Sequence, residues 1–481
     1  GPRLDPEARA GGGRLVLRLS VGLTLLLMAA SCRASHPAGQ TDQTVNRMQR
    51  ERLSEKMERA VLALHYPPEV ASATRRHLLE WRDFAGRSVV ESWSHTLVNA
   101  QGQVSEDATA LARLTQKEKQ VISEIARYLR RRFRYQEGAF ELMEILESRQ
   151  AQCLGYTQLF YVVTQSLGLA SHPIDVIVDR EPGMISPGEG HVSCLVDLSD
   201  GSSVLLDLVP NGLISAALSL DEDYRKEGPY HELKDEKNPL GLFRKIQVLD
   251  ADGLYAHILN SRTLKLESHQ ATHAVSLFTA AIQLNPDFAA GYSNRAIMLA
   301  RLEAFDEALA DCEQALTINP LSANAHNVRG TVLVRLGKFP EAMAAFDRAI
   351  QLQPDYAKAI CNRGSAYNKL RRHERALDDF EKALRLEGAS SLSYYNRGIA
   401  LYRLGRYREA IASYSSALRQ APQLQQAHVN RALCYALVGK DAKARQDLQS
   451  AIELDPKMAE PVGRISRRFS LGVRSLRAGH Q

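Results

Sequence analysis

The 481-residue chain has only six cysteines, Cys32, Cys153, Cys194, Cys312, Cys361 and Cys434, and no CxxC pair among them. A disulfide scaffold and a structural zinc cluster of the usual spacing are thereby excluded. No apolar run reaches the roughly 20 residues that a permanent spanning helix needs. The body of the chain also lacks an excess of charge. Formal net charge is +6, but residues 1–31 carry four arginines against one Asp and one Glu, and residues 459–481 carry five arginines against one Glu. Everything between is neutral. Binding a phosphate backbone needs a concentrated basic face, so no nucleic-acid partner is expected. The composition that remains, 44% hydrophobic and 24% charged, is that of folded protein, and the length leaves room for two or three domains.

Arg14 and Arg18 precede an apolar stretch over residues 19–30, followed by Ser31 and Cys32. A basic region, about a dozen apolar residues and then small ones have the form of a secretory signal. As a helix the stretch rises roughly 18 Å, short of the ~30 Å hydrocarbon core. Residues 1–31 are therefore expected to be a signal peptide and 32–43 a polar tether. The ending Ala29-Ala-Ser-Cys32 resembles the bacterial lipobox, with Ala29 where that motif prefers Leu. The resemblance implies lipidation of Cys32, membrane attachment through that lipid and an envelope location; plain cleavage after Ala30 or Ser31 is the alternative. Helical periodicity begins near Val45, breaks at Pro67-Pro68 and resumes over 69–84, so 44–109 reads as a helical region. Another helix is expected over 116–133.

Pro286, Pro320 and Pro354 lie 34 residues apart, as do Pro422 and Pro456, and Gly388 fills the missing step. Small residues keep the same phase at Ala296, Gly330, Gly364, Gly398 and Ala432, and again at Ala308, Ala342, Ala376, Ala410 and Ala444. Four residues after the second set come Cys312, Phe346, Phe380, Tyr414 and Leu448. This period predicts an all-α solenoid of helix–turn–helix units in which small and large side chains interlock. The pattern is similar to the tetratricopeptide repeat over residues 255–458, six units, the first degenerate because its opening helix lacks the small residue. Residues 459–481 read as a basic tail. Asn294, Asn362, Asn396 and Asn430 share one phase on the first helices, interrupted by Val328. An Asn amide can both give and take a hydrogen bond with a peptide backbone. The resemblance implies a groove that binds a protein or peptide partner through this ladder; a stabilising role inside the array is the alternative. Arg295, Arg329, Arg363, Arg397 and Arg431 occupy every full unit, and Asp311, Asp379 and Asp447 recur on the second helices. Pairing within a unit is expected over a cationic groove. Cys312, Cys361 and Cys434 fall at helical positions and are expected to be small apolar packers.

Between these regions, 110–254 has a different texture. Cys153 stands just ahead of a helical stripe of Leu159, Phe160, Val163 and Leu167 that Gly168 closes, which puts the thiol at a helix amino terminus. The partial positive charge there favours a thiolate, and free backbone N–H groups can hold an oxyanion. Strand-like runs follow at 174–178, 191–196 and 203–209, the last two joined by a turn at 199–202. His191 opens one strand and Asp207 lies near the end of its partner, the order a thiol, its base and an orienting carboxylate require. Asp197 and Asp200 compete for the carboxylate's role. His172 reads as a turn residue, Cys194 as a buried one, and the Gly-rich stretch before His191 as either a lid or a plain connection. The stretches Gln152-Cys-Leu-Gly-Tyr-Thr-Gln-Leu-Phe160, Gly190-His-Val192 and Leu205-Leu-Asp-Leu208 resemble the transglutaminase-like superfamily of papain-related thiol enzymes. That resemblance implies an α+β domain with a Cys-helix on antiparallel strands, Cys153 as nucleophile, His191 as general base and acid, and Asp207 as orienter. It also implies hydrolysis or acyl transfer at protein or peptide amides. Ser193 stands where an aromatic is common, and no calcium cluster of carboxylates is evident, so no cofactor or metal is expected. A catalytically idle domain that serves a binding array is the second reading.

Overall fold

A computed structural model describes residues 38–83, 86–102, 108–136, 138–179, 191–207, 214–218, 220–234, 243–386 and 390–469. The expected signal peptide, Cys32, the Gly-rich stretch at 181–190 and the end of the basic tail lie outside the described residues. Two compact units divide the chain near Ser261.

The amino-terminal unit opens with helices α1 (Ala38–Leu62), α2 (Pro68–Leu79), α3 (Val89–Gln101) and α4 (Ala108–Arg132). Pro68 starts α2 in its first turn, where a missing N–H leaves no bond unmade. Helix α1 begins within the stretch expected to be tether, so the tether is shorter than its polar composition suggests. Met57, Val61, Trp93, Ile122, Ile125 and Leu129 from these helices, with Leu64 and Trp81 from the links that follow α1 and α2, are buried in one core with α5 (Leu142–Ser148) and α6 (Cys153–Leu167). Helix α6 is apolar on nearly every side and correspondingly buried from Leu154 to Thr164.

Seven strands form a sheet below it: β1 (Ala170–Asp179), β2 (His191–Asp197), β3 (Ser203–Asp207), β4 (Ile214–Leu218), β5 (Tyr224–Glu227), β6 (Tyr230–Leu233) and β7 (Phe243–Val248), in the order β4-β3-β2-β1-β7-β6-β5, all neighbours antiparallel. The first three are the expected strands; β4 to β7 follow them in a stretch whose sequence shows no strand-like run. Helix α6 is fixed on the sheet by Thr157 Oγ1 donating to the Val192 carbonyl (3.2 Å) and Gln165 Nε2 donating to the Ser171 carbonyl (2.8 Å). Val192, Cys194 and Val196 share the α6 core with Val204 and Leu206. By the two-residue pleat, His191, Ser193 and Leu195 belong to the opposite face.

Helix α7 (Ala251–Leu264) corresponds to the opening helix of the degenerate first repeat. Its Leu254 and Ile258 are buried in the α6 core, so it needs no small residue of the repeat type. Helix α8 (Ala271–Leu284) then precedes five helix pairs: α9 (Ala289–Arg301) and α10 (Phe305–Ile318), α11 (Ala323–Arg335) and α12 (Phe339–Leu352), α13 (Ala357–Lys369) and α14 (His373–Leu386), α15 (Ser391–Arg403) and α16 (Tyr407–Gln420), α17 (Gln425–Leu437) and α18 (Asp441–Leu454). The start of the expected basic tail is instead helix α19 (Ala459–Arg468), whose buried Val462, with Ile465 and Phe469, packs on the Leu448 and Ile452 cluster. That helix covers an apolar end that a terminal repeat would otherwise expose.

Inside each pair the interlock is volumetric. A Cβ added at Gly330 would come within 2.7 Å of the Phe346 ring, and one at Gly398 within 2.5 Å of the Tyr414 ring. Where the first helix carries Ala296 or Ala432, the facing residue is Cys312 or Leu448 and not an aromatic. The turn between paired helices needs a left-handed residue: Gly337, Gly405 and Gly439 supply it without strain, while Glu303 (φ 65°) and Arg371 (φ 57°) hold the same phase.

Candidate functional site

Cys153 is the first residue of α6 and is half-buried, whereas Cys194, Cys312, Cys361 and Cys434 are buried. Gln152 turns the chain into the helix in an extended conformation, and its own Oε1 accepts the Gly138 N–H (3.0 Å). Gly155 allows this entry: a Cβ there would lie 2.6 Å from Ile145 and 3.0 Å from the Ala139 carbonyl. The first-turn N–H groups of α6 have no carbonyl within the helix to bond. Burial pushes three of these thiols up, Cys312 and Cys434 to about 12, and Cys194 further still. They are packers, as their helical or strand-interior positions predict.

The fold brings Cys153, His191 and Asp207 to one end of the α6–sheet layer. Helix α6 rises from Cys153, β1 returns, β2 starts at His191 opposite Val176, and β3 descends to Asp207 opposite Ile214. Cys194 pairs with Leu206, so Asp207 follows one step on, level with Ser193 and two residues from His191. The rival carboxylates are elsewhere. Asp197 closes the far end of β2, about 20 Å from His191 at 3.3 Å per residue, and accepts from His172 Nε2 (3.1 Å) and Ser203 Oγ (2.9 Å). Asp200 is occupied in the hairpin turn by Ser202 N (3.0 Å) and Ser202 Oγ (2.6 Å). Asp207 is therefore the one of the three carboxylates at the thiol's end. His172 is a strand residue paired with Leu195, not a turn residue. Sequence reasoning missed His257 on α7, buried with its Nε2 3.5 Å from the buried Asp175 carboxylate of β1. Its only signal was a His in a segment whose length suited a repeat.

In the repeats, Asn362 Nδ2 donates to Asn327 Oδ1 (2.9 Å), Asn396 Nδ2 to Ser365 Oγ (3.2 Å) and Asn430 Nδ2 to Tyr395 Oη (3.2 Å), each on the preceding first helix. Asn294 is buried. No described residue donates to Oδ1 of Asn362, Asn396 or Asn430. The donor half of each amide thus ties neighbouring units, and the acceptor half remains open. The arginines pair as expected: Arg295, Arg363 and Arg431 fork onto Asp311, Asp379 and Asp447 at 2.7–2.9 Å. Hydrogen bonding to these carboxylates raises each guanidinium's pKa.

Family comparison matches the description "Tetratricopeptide repeat" to residues 263–323, 357–388 and 395–459, and "TPR repeat" to residues 330–370. The carboxy-terminal part of the chain is a tetratricopeptide repeat array. No protein of curated function matches the chain. Similar solved structures include YrrB, described as a TPR protein with an unusual peptide-binding site (25% identity, 40% of this chain and 97% of that one, TM-score 0.33). Others are PilF of Pseudomonas aeruginosa (17%, 46% and 100%, 0.41) and MamA from Desulfovibrio magneticus RS-1 (20%, 35% and 96%, 0.32).

Proposed function

We propose that this chain is an envelope protein, tethered through Cys32, whose repeat array holds an extended segment of a protein partner. The observation that carries the reading is the row of open Oδ1 acceptors at Asn362, Asn396 and Asn430, one per unit on successive first helices. Those helices touch through the same amides, so the acceptors recur at roughly 8–10 Å. A polyproline II segment leaves its N–H groups free and brings every third one to the same side at about 9 Å. A β-strand, with a period of two, does not match that spacing. The partner is thus an extended segment read through its backbone. N-methylation walked along a bound peptide tests this: losses of affinity should recur at every third residue. Losses that follow side-chain identity and ignore N-methylation would retire the ladder.

A second reading is favoured by Cys153, the half-buried member of the five described cysteines, at a helix amino terminus. In it the amino-terminal unit is a transglutaminase-like thiol enzyme. Sulfur attacks an amide carbonyl, His191 takes the thiol proton and returns it to the leaving amine, and water or a second amine releases the acyl group, with Asp207 orienting the imidazole. In a Cys32→Ser background, a thiol-selective electrophile should label Cys153 faster than a model thiol, and His191→Ala should slow it. A rate equal to the model thiol's and indifferent to His191→Ala ends this reading.

A further inference from the structure

Of the five phase-matched arginines, four meet a partner sixteen residues onward. Three take Asp311, Asp379 and Asp447, and Arg397, facing Ser413, bonds its Oγ (2.7 Å) and Glu381 (2.9 Å). Arg329 faces Ala345. Its Nε is buried with no hydrogen-bond partner among the described residues. Glu313, the counterpart of Asp347 and Glu381, forms no ion pair with it among the described residues.

The same unit holds a second orphan. His428 bonds the Pro422 carbonyl through Nε2 (3.0 Å) and meets Asp447 through Nδ1 (3.2 Å). His326 occupies that phase three units earlier and bonds the Pro320 carbonyl in the same way (3.1 Å), but its Nδ1 is buried without a partner among the described residues. In the α17–α18 unit one carboxylate thus serves both Arg431 and His428. In the α11–α12 unit both basic groups are in place and the carboxylate is missing. Ala345 is 3% exposed, so the gap lies inside the array.

We infer that this gap is a binding site for a small monovalent anion, chloride or a carboxylate the size of formate, held by Arg329 Nε–H and the Nδ1–H of protonated His326. Arg329 stays charged at any physiological pH and has no carboxylate to satisfy it. With Nε2 committed to Pro320, a proton on His326 Nδ1 has to find an acceptor in the same place. Formate beside the Ala345 methyl supplies the groups that a single Asp side chain supplies in the other units. Two single N–H donors, one on each side chain, match a small monovalent anion. The site is independent of the groove and of the thiol.

The test uses the full chain below about pH 6, on the acid side of the ordinary histidine range, in gluconate buffer of constant ionic strength, titrated with formate and, separately, chloride. Hydrogen exchange of the α11 and α12 amides should slow saturably, by about tenfold at ten times the Kd. Ala345→Asp should be protected without added anion and should not respond further. A wild-type chain that does not respond, as a water molecule in the gap would give, or one that responds in parallel with Ala345→Asp, overturns the inference. If Ala345→Asp folds poorly, bromide-soaked crystals of the wild-type protein decide: an anomalous peak between Arg329 and His326 is expected, and its absence refutes the site.

Discussion

Asp379→Ala is the substitution whose cost the geometry ranks most sharply. Asp379 receives Nε (2.9 Å) and Nη2 (2.7 Å) of Arg363, while Nη1 reaches Asp347 on the preceding unit's second helix (2.7 Å). The Asp379 side chain is 8% exposed and that of Asp347 57%. Removing one partner of a buried pair strands the other charge and costs roughly 3–5 kcal/mol, whereas an exposed pair contributes about 0–1 kcal/mol. Arg363 keeps Asp347 in the first variant, which places Asp379→Ala near about 3 kcal/mol and Asp347→Ala below about 1 kcal/mol. Asp379→Asn keeps the shape and one acceptor and should fall between them. Repeats couple neighbour to neighbour, and the two units of the chain need not unfold together, so the readout is hydrogen exchange in α13 and α14 and not a single melting temperature. Equal costs for the two alanine variants, or a cost for Asp379→Ala below about 0.5 kcal/mol, would refute the view that this fork holds the unit together.

Gly398→Ala drives a methyl into the Tyr414 ring and should cost about 1–3 kcal/mol by hydrogen exchange in α15 and α16. Adding Tyr414→Leu should recover most of it, since Ala432 and Leu448 already make that pair; no recovery would show that the two positions do not interlock. Arg371→Gly relieves a left-handed residue at the phase of Gly337, Gly405 and Gly439 and should stabilise the array by about 0.5–1 kcal/mol, while a loss would reveal a contact from the Arg371 side chain. Burial lowers the pKa of His326, with Arg348 and Arg329 adding to it. The unfolded chain therefore binds that proton first, and in anion-poor buffer stability should fall as pH drops below about 6.5, then level off below the folded pKa. His326→Asn should flatten that part of the pH dependence of α11 and α12 stability read by hydrogen exchange, and an unchanged slope would assign it to another group.

The repeat half was legible because each of its contacts recurs. A 34-residue phase marks Gly330 against Phe346 and Arg363 against Asp379 before any coordinate is known, since the same pair appears several times at one offset. The Cys-helix was legible because α6 is apolar on almost every side and ends at Gly168 in a left-handed cap. Strands β5 to β7 were not. In β5 only Tyr224 is buried, and Arg225, Lys226 and Glu227 point to solvent, so an edge strand that discourages further pairing reads as a polar linker. His257 was missed for another reason: its partner Asp175 comes from β1, and only the packing of α7 on the sheet joins them. The Asn ladder was half legible, because spacing gives the phase of Asn362 and Asn396 but not which end of the amide the preceding helix takes.

The pleat sets what the thiol reading demands. Thr157 bonds the Val192 carbonyl, Cys153 lies one turn earlier on the same side of α6, and His191 lies one step earlier in β2. A turn is 5.4 Å and a strand step about 3.3 Å, so the two backbones advance together toward the same end of the layer. Yet Val192, Cys194 and Val196 face α6, and His191 alternates with them. A one-residue slip of β2 would turn His191 toward the helix, but it would also send Cys194 and Val196 out of the core. Register is strongly held where one face is buried, so the strand cannot slide to make the contact. On the thiol reading, the imidazole has to reach the sulfur around the end of β2, and His191 is the first residue of that strand. A histidine at Ser193, two residues farther in, would share the face and lack the reach.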